Sequence, residues 1–244
     1  MKAVAVLPGR SGSLHVREVP DPEPTAGQAL VRVLETGVCG TDVDIEKGEF
    51  GDAPPGSDFL ILGHENFGVV ERPAGALAKG DLVVATVRRP CPEACLPCRS
   101  GYNDMCVTGH YTERGIKAQH GFMAERYVES PEFLIPVPPE LRGLAVLYEP
   151  LSVVEKGIDH AWKVQQRLPW QPRRAIVLGA GPIGMLAAMV LRLRGLEVVV
   201  CAREPRGNPK DRLLADAEIR YASVKERPLE DVAAEAGPPD IVFE

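Results

Sequence analysis

The stretch Arg174-Ala175-Ile176-Val177-Leu178-Gly179-Ala180-Gly181-Pro182-Ile183-Gly184 decides how the second half of the chain is read. Ala175 to Leu178 is an unbroken apolar run, as a strand buried on both faces requires. Glycines spaced G-x-G-x-x-G follow at once. Residues 182–194 then read as a helix, with Pro182 at its start and Gly195 just past its end. In that context each glycine has a physical purpose. Gly179 permits a tight turn, Gly181 lets backbone approach a pyrophosphate, and Gly184 lets the helix pack against the strand. The helix N-terminus, opened by Pro182 and Ile183, offers free N–H groups to phosphate oxygens. A dinucleotide site is expected at residues 179–184.

Glu197-Val198-Val199-Val200-Cys201 is a second buried strand, and two weaker helix–strand units end in Asp240-Ile241-Val242-Phe243. Such a series predicts a doubly wound parallel sheet. An NAD site usually carries an acidic residue at the end of the second strand. Here the chain reads Cys201-Ala202-Arg203-Glu204-Pro205-Arg206. The planar fork of Arg203 suits a 2′-phosphate, which favours NADP. Glu204 keeps NAD open, because it could hold ribose hydroxyls if the loop shifts by one residue. The final apolar run resembles an inner strand, which would expose an apolar edge if nothing followed it. The expectation is therefore an incomplete nucleotide domain in a truncated chain.

The first 150 residues are rich in Gly, Pro and short β-type runs, among them Ala29–Leu34, Gly68–Glu71 and Asp81–Ala85. They predict an irregular β-rich domain. Residues 151–167 read as helix, and Pro169-Trp170-Gln171-Pro172 punctuates the chain. The expected domains are 1–172, including the linking helix, and 173–244. The formal charge of −6 argues against a nucleic-acid binder, and no apolar run is long enough to span a bilayer. The opening Met1–Pro8 is too soon broken to be a signal peptide and reads as a strand, so a reducing, cytoplasmic compartment is expected.

Under those conditions cysteines point to metal rather than disulfides. Cys91-x₃-Cys95-x₂-Cys98-x₇-Cys106 offers four thiolates to a closed, tetrahedral structural Zn²⁺. His110 nearby is read as a bystander, and Cys201 as packing in its strand. Gly37-Val38-Cys39-Gly40-Thr41-Asp42 and Gly63-His64-Glu65 are a second kind of signal. Cys39, His64 and a later carboxylate would give zinc three protein ligands and leave one position open.

Cys39-Gly40-Thr41-Asp42, Gly63-His64-Glu65, the four-cysteine lobe and the glycine loop, in this order, resemble the medium-chain, zinc-dependent alcohol dehydrogenase family. Asp58–Glu65, Val87-Arg88-Arg89, Thr112–Ile116, Gly121-Phe122-Met123, Glu149-Pro150-Leu151 and Glu155-Lys156 resemble its microbial glucose dehydrogenases. The resemblance implies an N-terminal GroES-like catalytic domain followed by a Rossmann domain. It implies zinc on Cys39, His64 and Glu149, with Glu65 either an exchanging ligand or a carboxylate behind the ligands. Asp42 would orient the zinc histidine, Thr41 would relay the substrate proton, and Glu113 and Glu155 would hold sugar hydroxyls. The implied reaction is oxidation of an aldose at C1, with hydride transfer to NADP or NAD, in a homo-oligomer (dimer or tetramer). A polyol or secondary-alcohol dehydrogenase, or an inactive zinc-binding fragment, are the alternatives. The chain departs from the family in one extra residue between Cys91 and Cys95. It also lacks roughly a hundred residues that complete the nucleotide sheet and return a segment to the catalytic domain.

Overall fold

The computed structural model describes residues 1–244. The chain divides into two compact units, Met1–Glu149 and Pro150–Glu244. In the first, a five-stranded antiparallel sheet runs in the order Arg126–Glu129, Ala29–Thr36, Asn66–Arg72, Leu82–Ala85, Leu134–Pro136. Alternation along the strands sends Val31, Val70, Val83 and Tyr127 into one core around Phe122. Beside it lie a three-stranded sheet built on Lys2–Val6 and a small sheet of Arg88–Arg89, Thr112–Arg114 and Ala118–Gln119.

Irregular pairing aims the end of the long strand Ala29–Thr36. Its register against Asn66–Arg72 shifts between Val33 and Glu35, a bulge that bends the strand end. The pairing ends at Thr36 opposite Asn66, so Gly37 falls opposite Glu65 and donates its N–H to the Glu65 carbonyl at 3.2 Å. Asn66 is buried, and its side chain substitutes for a ladder partner. Its Oδ1 accepts from Ala85 N–H and its Nδ2 donates to Ala85 O, both at 2.8 Å, while the Tyr127 hydroxyl donates to Asn66 Oδ1 at 3.1 Å.

In the second unit the parallel sheet runs Arg220–Ser223, Glu197–Ala202, Arg174–Leu178, Ile241–Phe243. This is the strand order 3-2-1-4 of a doubly wound nucleotide fold. Successive residues face opposite sides. Ala175, Val177, Val198 and Val200 pack with helices Tyr148–Gln165, Pro182–Leu193 and Pro209–Asp216. Ile176, Val199 and Cys201 pack with helix Leu229–Ala236 on the other side. Both expected strands and the helix behind the glycine loop are present. Ile241–Phe243 forms one edge of the sheet, with Val242 57 % exposed.

The linking helix falls differently from the sequence reading, which grouped it with the first domain and drew the line at 172. Val154 and Ile158 of helix Tyr148–Gln165 are buried in the second unit's core, which moves the packing boundary to Glu149/Pro150. Its apolar stripe is short and its exposed face polar, so sequence alone does not say which core it joins. No helix of the chain is long and apolar enough to cross a membrane.

Candidate active site

Cys39 caps the short helix Gly40–Glu46 in extended conformation. Its sulfur accepts the Thr41 N–H at 3.3 Å, and its own N–H is taken by Asp42 Oδ2 at 3.1 Å. Asp42 Oδ1 accepts the N–H of Gly63 at 3.2 Å, so one buried carboxylate ties the two segments together. Gly63 turns the chain with φ +91°, and a Cβ there would stand 2.9 Å from the Met123 nitrogen. A Cβ on Gly37 would overlap the Glu65 carboxylate, so that glycine is what lets Glu65 turn inward. The result is convergence. Cys39 Sγ lies 3.0 Å from His64 Nε2, and these atoms and a Glu65 oxygen all lie within 4.8 Å of one another.

The electrostatics fit a cation. His64 is 4 % exposed. Burial opposes its charge, but Asp42 first, then Cys39 and Glu149, outweigh that and lift the imidazole from 6.5 to about 9. Its Nδ1 is buried with no hydrogen bond, and Asp42 Oδ1 at 3.5 Å is a charge contact rather than a close bond. Burial raises Glu65 and Glu149 above the ordinary carboxylate range, against the pull of His64. A soft thiol, an imidazole and a carboxylate crowded together, with a second carboxylate acting on them, form a donor set suited to Zn²⁺. The carboxylate inside the convergent set is Glu65. Glu149, expected as the third ligand, lies outside it and acts through its charge.

Cys91, Cys95, Cys98 and Cys106 bring their sulfurs within 4.8 Å of one another, all as free thiols. Cys95 and Cys106 are 3.9 Å apart, against about 3.8 Å for two sulfurs on a tetrahedral zinc with bonds of about 2.3 Å. The Thr108 hydroxyl holds Cys106 down to about 6. A hydrogen bond from the Cys91 backbone favours the Cys98 thiolate, yet burial and the neighbouring thiols outweigh it and push Cys98 up to about 12. Four such thiols ionise together only around a cation. The extra residue in the first gap is absorbed by Ala94, which adopts φ +47°. His110 is not in the set; its Nδ1 meets Glu93 at 2.6 Å.

In the second unit Gly179 has φ +106°, and its N–H donates to Cys201 O at 2.8 Å. A Cβ on Gly184 would overlap the Gly179 carbonyl oxygen, whereas one on Gly181 meets nothing within 4 Å. The loop is thus tight on its inner side and open on its outer side. Pro182 and Ile183, both exposed, start the helix. Beyond the second strand, Glu204 is engaged by Lys210 at 2.6 Å and Arg206 by Asp211 at 3.1 Å. The exposed Arg203 side chain makes no ion pair or hydrogen bond.

Thr41 is half-buried in the first turn beside Cys39. Glu113 Oε1 takes two bonds from Arg88, at 2.7 and 2.8 Å, leaving Oε2 free of them. Glu155 is exposed on the second unit's helix. A large cleft of about 840 Å³ in the first unit is lined by apolar groups such as Val4, Val16, Val33 and Val38, and none of Cys39, His64 or Glu65 lines it. Sequence reading assigned no role to Gly37, Gly115 or Gly121. A Cβ on Gly115 would stand 2.8 Å from the Gly63 carbonyl carbon, and one on Gly121 2.6 Å from that of Leu62. Gly115 and Gly121 press backbone against backbone next to His64, while Gly37 makes room for the Glu65 side chain. Their clustering in segments already singled out was the available signal.

The family described as "Alcohol dehydrogenase GroES-like domain" matches residues 25–139, and that described as "Glucose dehydrogenase C-terminus" matches residues 142–244. Glucose 1-dehydrogenase of Methanocella arvoryzae is 56 % identical over all of this chain, which spans 69 % of that relative. The enzyme of the same name from Thermoproteus tenax is 45 % identical, again over the whole chain and 71 % of the relative. Among solved structures, Haloferax mediterranei glucose dehydrogenase in complex with NADP, Zn and gluconolactone is 36 % identical with TM-score 0.87, over 99 % of this chain and 69 % of that one. Two domain families in the expected order, and whole-chain identity well above what fold alone produces, establish that the chain belongs to the glucose 1-dehydrogenase family of the zinc-dependent, medium-chain alcohol dehydrogenases.

Proposed function

We propose that the protein oxidises glucose at C1 to the lactone, with hydride transfer to NADP. The observation that carries this reading is the convergence of Cys39, His64 and Glu65 in a chain that also holds a glycine loop of nucleotide type. Cys39 and His64, with Glu65 or Glu149 as the carboxylate, would hold the catalytic zinc. Bound there, zinc supplies Lewis-acid polarisation that lowers the pKa of the C1 hydroxyl. Asp42 fixes the segments that carry Cys39 and Gly63, and with them the direction of the imidazole. The Thr41 hydroxyl, two residues from Cys39, carries the sugar proton outward. In the first unit Glu113 Oε2 is the acceptor offered to a sugar hydroxyl; for Glu155 of the second unit that role rests on the family resemblance alone. The four-cysteine set would hold a second, structural zinc. Gly179, Gly181, Pro182, Ile183 and Gly184 receive the pyrophosphate.

NADP is favoured because Arg203 is unpaired while Glu204 is already taken by Lys210. The free thiols fit a reducing, cytoplasmic setting, and a homo-oligomer is expected from the family. The test is zinc content together with nicotinamide reduction on glucose, galactose, xylose, sorbitol and threonine. Two zinc ions per chain and glucose-dependent reduction lost on chelation are expected. Turnover that survives complete zinc removal refutes the reading. Arg203→Ala should weaken NADP by about 10- to 100-fold and leave NAD unchanged, the worth of one charged hydrogen-bonding fork. An unchanged ratio removes the NADP assignment.

A further inference from the structure

Two arginines are buried in the first unit to almost the same degree, Arg89 at 8 % and Arg114 at 9 % exposure, and both bind one carboxylate, Glu129. Their other contacts differ. Arg89 stays local: its Nη1 donates to Thr86 O at 2.8 Å, and its guanidinium covers the Phe133 ring at 4.0 Å. Arg114 reaches one further segment, donating from Nη1 to His120 O at 3.1 Å, and grips the Glu129 strand a second time through Nη2 to Val128 O at 2.7 Å. Its own segment and that of His120 grip the peptide before His64. Gly115 follows Arg114 directly and packs on the backbone of Gly63. Gly121 follows His120 and donates to Ile61 O at 2.8 Å, and Phe122 N–H donates to Gly63 O at 2.9 Å.

We infer that Arg114, held by Glu129, is a positioning residue for the metal site: its fork locks the 115 and 120–122 segments against Gly63 and so fixes where the His64 ring points. This rests on the reading of Cys39, His64 and Glu65 as metal ligands. Lysine at 114 keeps the charge toward Glu129 but cannot span Glu129, His120 and Val128 at once. Lysine at 89 weakens the same ion cluster without touching the Gly63 grip. The pair therefore separates positioning from plain stability.

The experiment titrates Co²⁺ into metal-free chain and reads the thiolate-to-cobalt charge-transfer band of the Cys39 site, as the difference from Cys39→Ser protein. Arg114→Lys is expected to weaken cobalt at this site by about 10- to 100-fold, the usual cost of a lost supporting group, and to leave the four-cysteine site unchanged. Arg89→Lys should lower Tm comparably and leave both sites as in wild type. Equal effects of the two variants on cobalt affinity, or none from Arg114→Lys, overturn the inference. No Cys39-dependent band in wild type instead overturns the metal-site reading. Should Arg114→Lys not fold, the Arg114 and Arg89 Nε–H resonances of wild type are compared across a titration with diamagnetic Zn²⁺. Movement of Arg114 alone supports positioning, and no movement of Arg114 overturns it.

Discussion

Replacing Asp42 with asparagine removes one buried charge while keeping the side chain's shape. In the metal-free chain His64 stands at about 9 rather than 6.5. At about 1.4 kcal/mol for each tenfold change, that difference is worth on the order of 3 kcal/mol. Because the folded value lies above the unfolded one, this stabilisation is complete below about pH 6.5. It is lost as pH rises through about 9. The raised carboxyl groups of Glu65 and Glu149 act in the same direction. Burial opposes the His64 charge, and Asp42 is the first of the groups that favour it, so Asp42→Asn should bring His64 down toward or below 6.5 and flatten the pH dependence. The His64 ring is titrated by NMR in chelator-treated wild-type and Asp42→Asn chains. Urea unfolding is followed by circular dichroism, since both tryptophans, Trp162 and Trp170, lie in the second unit and are silent for the first. Zinc must expel the His64 proton, so wild-type uptake should release it into weak buffer and tighten with rising pH. A His64 titration still near 9 in Asp42→Asn, or an unflattened stability profile, refutes the assignment of Asp42 as its cause.

Other perturbations follow from the packing. Gly37→Ala should displace the Glu65 carboxylate and weaken the catalytic metal, while Gly40→Ala, whose Cβ meets nothing within 4 Å, should not; metal competition titrations on the two variants compare them. Cys98→Ser should halve the zinc content and expose residues 91–106 to proteolysis, leaving Cys39-dependent binding intact. Gly184→Ala forces a methyl into the Gly179 carbonyl, at a cost of about 1–3 kcal/mol. Lost NADP binding, read by fluorescence titration, is expected with it.

The sequence by itself determined whatever is local. A strand, a G-x-G-x-x-G turn and a helix succeed one another within a few residues, and backbone sterics at Gly179 and Gly184 allow little else. The cysteine lobe was equally legible, because four thiols within a short loop can meet without the rest of the fold. Cys39 and His64 were legible as candidates through their glycine-framed segments and family resemblance. Tertiary structure alone brought the Glu65 carboxylate beside them, because it turns inward only where the bulged strand puts a residue without a side chain, Gly37, opposite it. It also decided that helix Tyr148–Gln165 packs into the second unit's core, and that Arg89 and Arg114 share the one buried carboxylate of Glu129 inside the first. None of these could be read along the chain, since each depends on partners brought together by sheet register and packing, and a side chain's sequence neighbours carry no record of them.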